Sequence, residues 1–254
     1  MAADLDFSGR SALITGAASG IGAATAHWLA AHGIARLVLV DLDAEGLTSL
    51  DLGCEVERVA GDVSDPDFWT GFANRTAFDH VVANAGIGDA FSIADADFAS
   101  WRRVMAVNLD GAFLTLAATL GAMQRAGGGS VVVTASAAAI KAEPTTAAYA
   151  ASKAALVQLA KVAAKEGAAS GVRVNAIAPG GVDTPIWDGM EFFAQLTRDT
   201  GSRDAAIKAM GKMATPLGRY AGAEEIAGQI GFLLSDMAAT ITGTVLSSDG
   251  GYSL

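Results

Sequence analysis

The chain has 254 residues, 52% hydrophobic and 17% charged, with no low-complexity block, which excludes a disordered or fibrous protein and leaves enough chain for a large buried core. Its formal net charge of −10 argues against nucleic acid and anionic membrane surfaces as partners, since their phosphates would repel it, and favours small or neutral ligands. A single cysteine, Cys54, excludes an internal disulfide, and His27, His32 and His80 lack ligand spacing, so no metal site is expected.

From the N-terminus, MAADLDFSGR is acidic and carries no long apolar core, so a cytoplasmic protein without a signal peptide is expected. Strands are predicted at 11–15, 36–41, 55–62, 79–86, 130–136, 172–180 and 243–251, mostly as near-continuous runs of Val, Ile, Leu and Ala. Such runs suit strands covered on both faces, and their alternation with helical patterns implies parallel βαβ units. The expected fold is therefore α/β: one Rossmann-like, doubly wound parallel sheet of about seven strands with helices on both faces. No linker divides the chain, so a single domain over 1–254 is expected.

Between the first strand and the first helix lies TGAASGIG, with glycines at Gly16, Gly20 and Gly22 and with Ser19 and Ile21 between and beside them. At the first strand-to-helix turn of an open sheet, unpaired helix N–H groups and the helix dipole favour a phosphate, and glycines let it approach the backbone. Asp41 ends the second strand, 19 residues beyond Gly22, where a carboxylate can accept both hydroxyls of an adenosine ribose and repel a 2′-phosphate. Neither Ala17 nor Ala18 is basic and Leu42 follows Asp41, so the expected cofactor is NAD. Farther along, LDGAFLTLAATLGAMQ is shorter than the roughly 18 apolar residues of a membrane span and is expected to be a buried helix.

Ser136 closes the fifth predicted strand at the carboxyl edge, where this architecture places its ligands. Tyr149 and Lys153 then stand four apart on a predicted helix, which puts both on one face. An ammonium within reach of a phenol favours the phenolate and would let Tyr149 act as a base near neutral pH. The stretch 181–222 is the longest irregular connection and is expected to form the substrate loop or lid.

Taken together, TGAASGIG, NAG at Asn84, Ala85 and Gly86, YAASK at the Tyr149–Lys153 pair and PGGVDTP from Pro179 resemble the short-chain dehydrogenase/reductase family across essentially the whole chain. The resemblance implies a tetrad of Asn108, Ser136, Tyr149 and Lys153. It further implies an adenine contact from Asp62, and contacts to the cofactor from Val63, Pro179, Gly180, Val182 and Thr184. VVVTAS departs from the family's Asn and Ser before the catalytic serine. The closing VLSSDGG stops after YSL, so a tail capping a neighbouring active site is not expected.

The reaction implied is hydride exchange between NAD and a small-molecule secondary alcohol or its ketone, with Tyr149 as acid or base. The substrate pocket is expected to involve Ile87, Gly88, Ala137, Ala138, Gly181, Trp187, Phe192 and Phe193, and so to favour a neutral, bulky alicyclic, steroidal or aromatic alcohol. Arg198, Arg203 and Lys208 are placed on an amphipathic lid helix as solvated side chains. Two apolar helices, LDGAFLTLAATLGAMQ and AAYAASKAALVQLAKVAA, point to a homo-oligomer, a tetramer by family resemblance. Two alternatives share the motifs: a 3-oxoacyl carrier-protein reductase, and a non-catalytic dinucleotide sensor.

Overall fold

The computed structural model describes residues 5–72 and 77–254, so the first four residues of the acidic N-terminal segment lie outside it. In chain order the elements are β1 (Ser11–Thr15), α1 (Gly20–Ala31), β2 (Arg36–Asp41), α2 (Ala44–Ser49), β3 (Glu55–Ala60) and α3 (Pro66–Thr70). Then come β4 (His80–Ala83), α4 (Phe98–Met105), α5 (Gly111–Ala126), β5 (Gly129–Thr134), α6 (Ala147–Ala168) and β6 (Val172–Pro179). The last third holds β7 (Val182–Asp183), α7 (Glu191–Thr200), α8 (Arg203–Ala214), β8 (Ala221–Gly222), α9 (Ala223–Leu234) and β9 (Val245–Ser248).

Seven strands form one parallel sheet in the order β3-β2-β1-β4-β5-β6-β9. The order reverses between β1 and β4, so connections leave their carboxyl ends in opposite directions and a crevice opens there. Successive strand residues face opposite layers. Leu13, Val81 and Val133 pack with Leu116 of α5 and Leu156 of α6. Ile14, Val82 and Val132 pack with Leu29 of α1 and Ile230 of α9. Being covered on both sides is what the unbroken apolar runs require.

β1 and β2 begin and end where the sequence places them. The predicted strands at 55–62, 79–86, 130–136 and 243–251 overrun the ladder at their carboxyl ends. The surplus residues after β3, β4 and β5 turn out of the sheet to form the crevice wall, while those after β9 turn against Thr215 and Pro216.

Two larger departures follow from helix geometry. α4 and α5 are joined through a π-helical turn, Ala106–Asp110, into a run of 29 residues, Phe98–Ala126. By length and composition that run could cross a membrane, so the expectation founded on its shortness does not hold. Its inner face, Ala112, Leu116 and Met123, packs on the sheet, while Phe113 is 53% exposed. The stretch 181–222 is not irregular: α7 and α8 pack on each other around buried Phe193, Ala206, Ile207 and Met210, and β7 pairs with β8 at its base.

The chain's last residues fold back on the loop after β5. Lys141 Nζ donates to Tyr252 O at 2.9 Å and lies 4.2 Å over its ring, and Tyr252 Oη donates to Glu143 at 2.8 Å. Asp249 holds the turn by accepting from Gly251 N–H, Ser253 N–H and Ser253 Oγ.

Candidate active site

A cavity of about 550 Å³ opens at the strand-order reversal. At one end it is bounded by Gly16, Ser19, Gly20 and Ile21 of the turn and by Asp41, Leu42, Asp62 and Val63 at the ends of β2 and β3. Asn84, Ala85 and Gly86 form its floor, and Ser136, Tyr149 and Lys153 line it with Pro179, Gly180, Val182 and Thr184.

Close approach explains the glycines. Gly16 has φ +66°, and a Cβ there would lie 2.7 Å from Ala85 Cα. Gly22 lies behind the cavity wall, where a Cβ would meet Gly16 O at 1.9 Å. No larger residue could let α1 start so close to β1. Asn84 braces this turn, its Nδ2 donating to Thr15 O at 3.1 Å and Gly16 O at 3.2 Å.

Ser19, the residue before α1, makes no side-chain capping bond. The first N–H groups of this 12-residue helix thus keep their donor capacity for an anion. Asp41 is not the cap of α2, a role Asp43 takes by accepting from Gly46 N–H at 2.9 Å. Asp41 Oδ2 accepts from Ala18 N–H at 2.9 Å and Oδ1 from Asp43 N–H at 3.0 Å. These bonds fix the carboxylate while leaving each oxygen a second lone pair. Asp62 is held similarly, its Oδ1 accepting from Ser64 N–H at 2.8 Å and Ser64 Oγ at 2.7 Å.

At the other end, Ser136 ends the β5 segment, with its Oγ accepting from Ala138 N–H at 3.1 Å and its side chain hydrogen-bonded to Tyr149. Lys153 is 3% exposed, donates from Nζ to Thr134 O at 2.8 Å, and stands 5.6 Å from the Tyr149 ring centroid. Burial pushes the Tyr149 phenol up, opposed by the Ser136 hydrogen bond, and pulls the Lys153 ammonium down to about 8. The expected lysine-driven phenolate is therefore corrected: in this cleft Lys153 turns to a backbone carbonyl, and desolvation governs both groups.

Asn108 does not line the cavity. It is fully buried in the π turn, where Oδ1 accepts from Ile87 N–H at 2.8 Å and Nδ2 donates to Ile87 O and Ser152 Oγ, both at 3.1 Å. A Cβ on Gly86 would lie 3.2 Å from Lys153 Nζ and 3.3 Å from Asn108 Oδ1, so these three converge.

Of the expected substrate residues, Ile87, Gly88 and Trp187 line the cavity. The others are placed elsewhere. Ala137 is buried in the short 3-10 turn Ala137–Ala139, and Ala138 spends its N–H on Ser136. Gly181 backs onto the Tyr220 ring, which would meet a Cβ at 2.3 Å. Phe193 is buried between α7 and α8, and Phe192 is 50% exposed with its ring edge toward Trp187. Cavity residues missed in the sequence include Arg103, Val107, Thr134 and Ile186. Arg103 and Val107 stand one helical turn apart just before Asn108, a spacing that could have disclosed them.

The sequence pattern of the family described as enoyl-(acyl carrier protein) reductase matches residues 16–253. The cis-4-hydroxycyclohexanecarboxylate dehydrogenase of Sinomonas cyclohexanicum is 38% identical over 97% of both chains. The chain belongs to the short-chain dehydrogenase/reductase family. Among solved members, levodione reductase superposes with a TM-score of 0.85 at 37% identity, covering 97% of this chain and 98% of that one. L-Sorbose reductase from Gluconobacter frateurii, complexed with NADPH and L-sorbose, gives 0.90 at 30% identity over 98% of both chains. Short-chain dehydrogenases/reductases use nicotinamide dinucleotides, and these relatives place the chain among alcohol/ketone oxidoreductases. The donor set at the α1 terminus and the fixed carboxylate of Asp41 fit such a cofactor.

Proposed function

We propose that the protein is an NAD-dependent dehydrogenase interconverting a bulky alicyclic, steroidal or aromatic secondary alcohol and its ketone, with Tyr149 as acid and base. The observation carrying this reading is that Ser136, Tyr149 and Lys153 line one cavity that also presents apolar Ile87, Val107, Ile186 and Trp187. The ring alcohol in the name of the Sinomonas relative supports an alicyclic substrate. L-Sorbose in the Gluconobacter complex makes a sugar the necessary comparison.

The dinucleotide, when bound, supplies or accepts hydride at the carbinol carbon. Glycine-turn N–H groups would hold its phosphates and Asp41 its adenosine ribose. Ser136 Oγ donates to the substrate oxygen and steadies the charge that develops on it. Tyr149 Oη gives that oxygen a proton in reduction and removes one in oxidation. Lys153, anchored on Thr134 O, directs its remaining protons toward the Gly86 side, where they would meet ribose hydroxyls. Asn108 ties the π turn to Ile87 and Ser152, and so orients the α6 face that bears Tyr149 and Lys153. Four such subunits would associate through α5 and α6.

NAD over NADP follows from Asp41: a 2′-phosphate would face a fixed carboxylate with Leu42, not a cation, beside it. The test is kcat/KM for NAD and NADP with cyclohexanol-type, aryl and steroidal alcohols beside a sugar and an acyl thioester. NAD preference with a ring alcohol is expected. Parity of cofactors, or preference for the sugar or thioester, would refute the corresponding part, and absent turnover would favour the sensor.

A further inference from the structure

We infer that Arg203 is a positioning residue: it latches the Thr184 loop against the glycine turn and so sets dinucleotide affinity. This rests on the cofactor reading above. Arg203 opens α8, where the sequence suggests only a solvated side chain, yet its guanidinium serves three acceptors at once. Nη1 donates to Asp183 Oδ1, Nε to Asp188 Oδ1 at 2.9 Å, and Nη2 to Thr184 O at 2.9 Å. Its Cζ lies 5.8 Å over the ring of Phe193, which is buried between α7 and α8.

The three acceptors bracket the 3-10 turn Pro185–Trp187, whose residues line the cavity. Thr184 in turn touches the cofactor turn: a Cβ on Gly20 would lie 3.3 Å from Thr184 Cβ. Arg203 therefore joins the helical lid to the loop that closes on the start of α1. The other contacts of that loop are mostly apolar, with Trp187 stacked on Tyr220 and packed against the Phe193 cluster. β7 and β8 pair over two residues each, and the Trp187 indole N–H reaches back to Val182 O at 2.7 Å. Part-exposed ion pairs each contribute little, but a planar fork sharing donors among two carboxylates and a carbonyl fixes direction as well as distance. Lysine, a point charge on a flexible stem, cannot reproduce it.

The experiment compares wild type, Arg203→Gln and Arg203→Lys by NADH fluorescence titration, steady-state kinetics and thermal unfolding. Arg203→Gln is expected to raise the NADH Kd and the cofactor KM about 10-fold while kcat at saturation stays within about threefold. Arg203→Lys should fall between the two, and Tm should move little because the network is at the surface. A rise in cofactor KM below about threefold overturns the inference, whatever happens to Tm or kcat. If Arg203→Gln does not fold, Asp188→Ala removes one acceptor and is judged by a twofold threshold, roughly the effect of one lost arm. Wild type that binds no NADH would overturn the cofactor reading itself, whereas equal binding by wild type and Arg203→Gln would overturn only the latch.

Discussion

Tyr149 and Lys153 share one helix face, yet burial moves their proton affinities in opposite directions. The raised phenol keeps its proton at neutral pH and is ready as an acid, while the lysine ammonium persists only below about 8. For ketone reduction, kcat/KM should be level below that pH and fall above it as the ammonium is lost. A plateau extending to pH 10, near the ordinary phenol value, would contradict this role for Lys153. Tyr149→Phe keeps the ring and removes the transferable proton, so turnover should drop about 10²–10⁴-fold with NADH binding retained. A variant keeping half its activity would exclude Tyr149. Ser136, Tyr149, Lys153 and Asp41 were legible in the sequence because a strand end or a four-residue helical spacing fixes where such side chains go. Phe193 was not: helix α7 has two sides, and only its packing on α8 decides that this ring faces inward.

β4 begins with a residue that carries a testable liability. His80 is 8% exposed, and its Nδ1 lies 2.8 Å from Ser130 Oγ, which itself donates to Leu234 O at 2.7 Å. Ser130 must accept from the ring, so Nδ1 carries a proton. Burial lowers its pKa from 6.5 to about 4, against the pull of the Asp79 carboxylate. Above pH 6.5 the ring is neutral folded or unfolded and contributes nothing. As pH falls toward 4 the unfolded chain takes up the proton first, so about 3 kcal/mol of stability should be lost and the loss should end below that value. Denaturant titrations at pH 7.5 and 4.5 on wild type and His80→Gln would check it; equal losses in the two proteins would clear His80. Among the elements, the central strands were readable because both faces are covered. The π turn and the α7–α8 pair were not, since one inserted residue per turn leaves no sequence period and short amphipathic helices depend on each other for burial.

For the whole molecule, the outward faces of α4, α5 and α6 matter most. Phe98, Phe113 and Val162 are 74%, 53% and 44% exposed on helices whose inner faces are already packed within the subunit. A tetramer by light scattering at micromolar concentration is expected, and Phe113→Asp should shift it to smaller species; a wild-type monomer would refute the proposal. The parallel sheet and its crevice were legible from alternation alone, but which subunit surfaces remain uncovered emerged only with the helices in place. The clasp of Lys141 and Glu143 on Tyr252 carries a practical meaning for handling the enzyme. Proteolytic clipping just before Tyr252 would release the segment that leads from Ser136 into α6 while sparing the buried core. A stored preparation would then age by losing specific activity before any change in circular dichroism, and intact mass, not folding, would be the quality measure to follow.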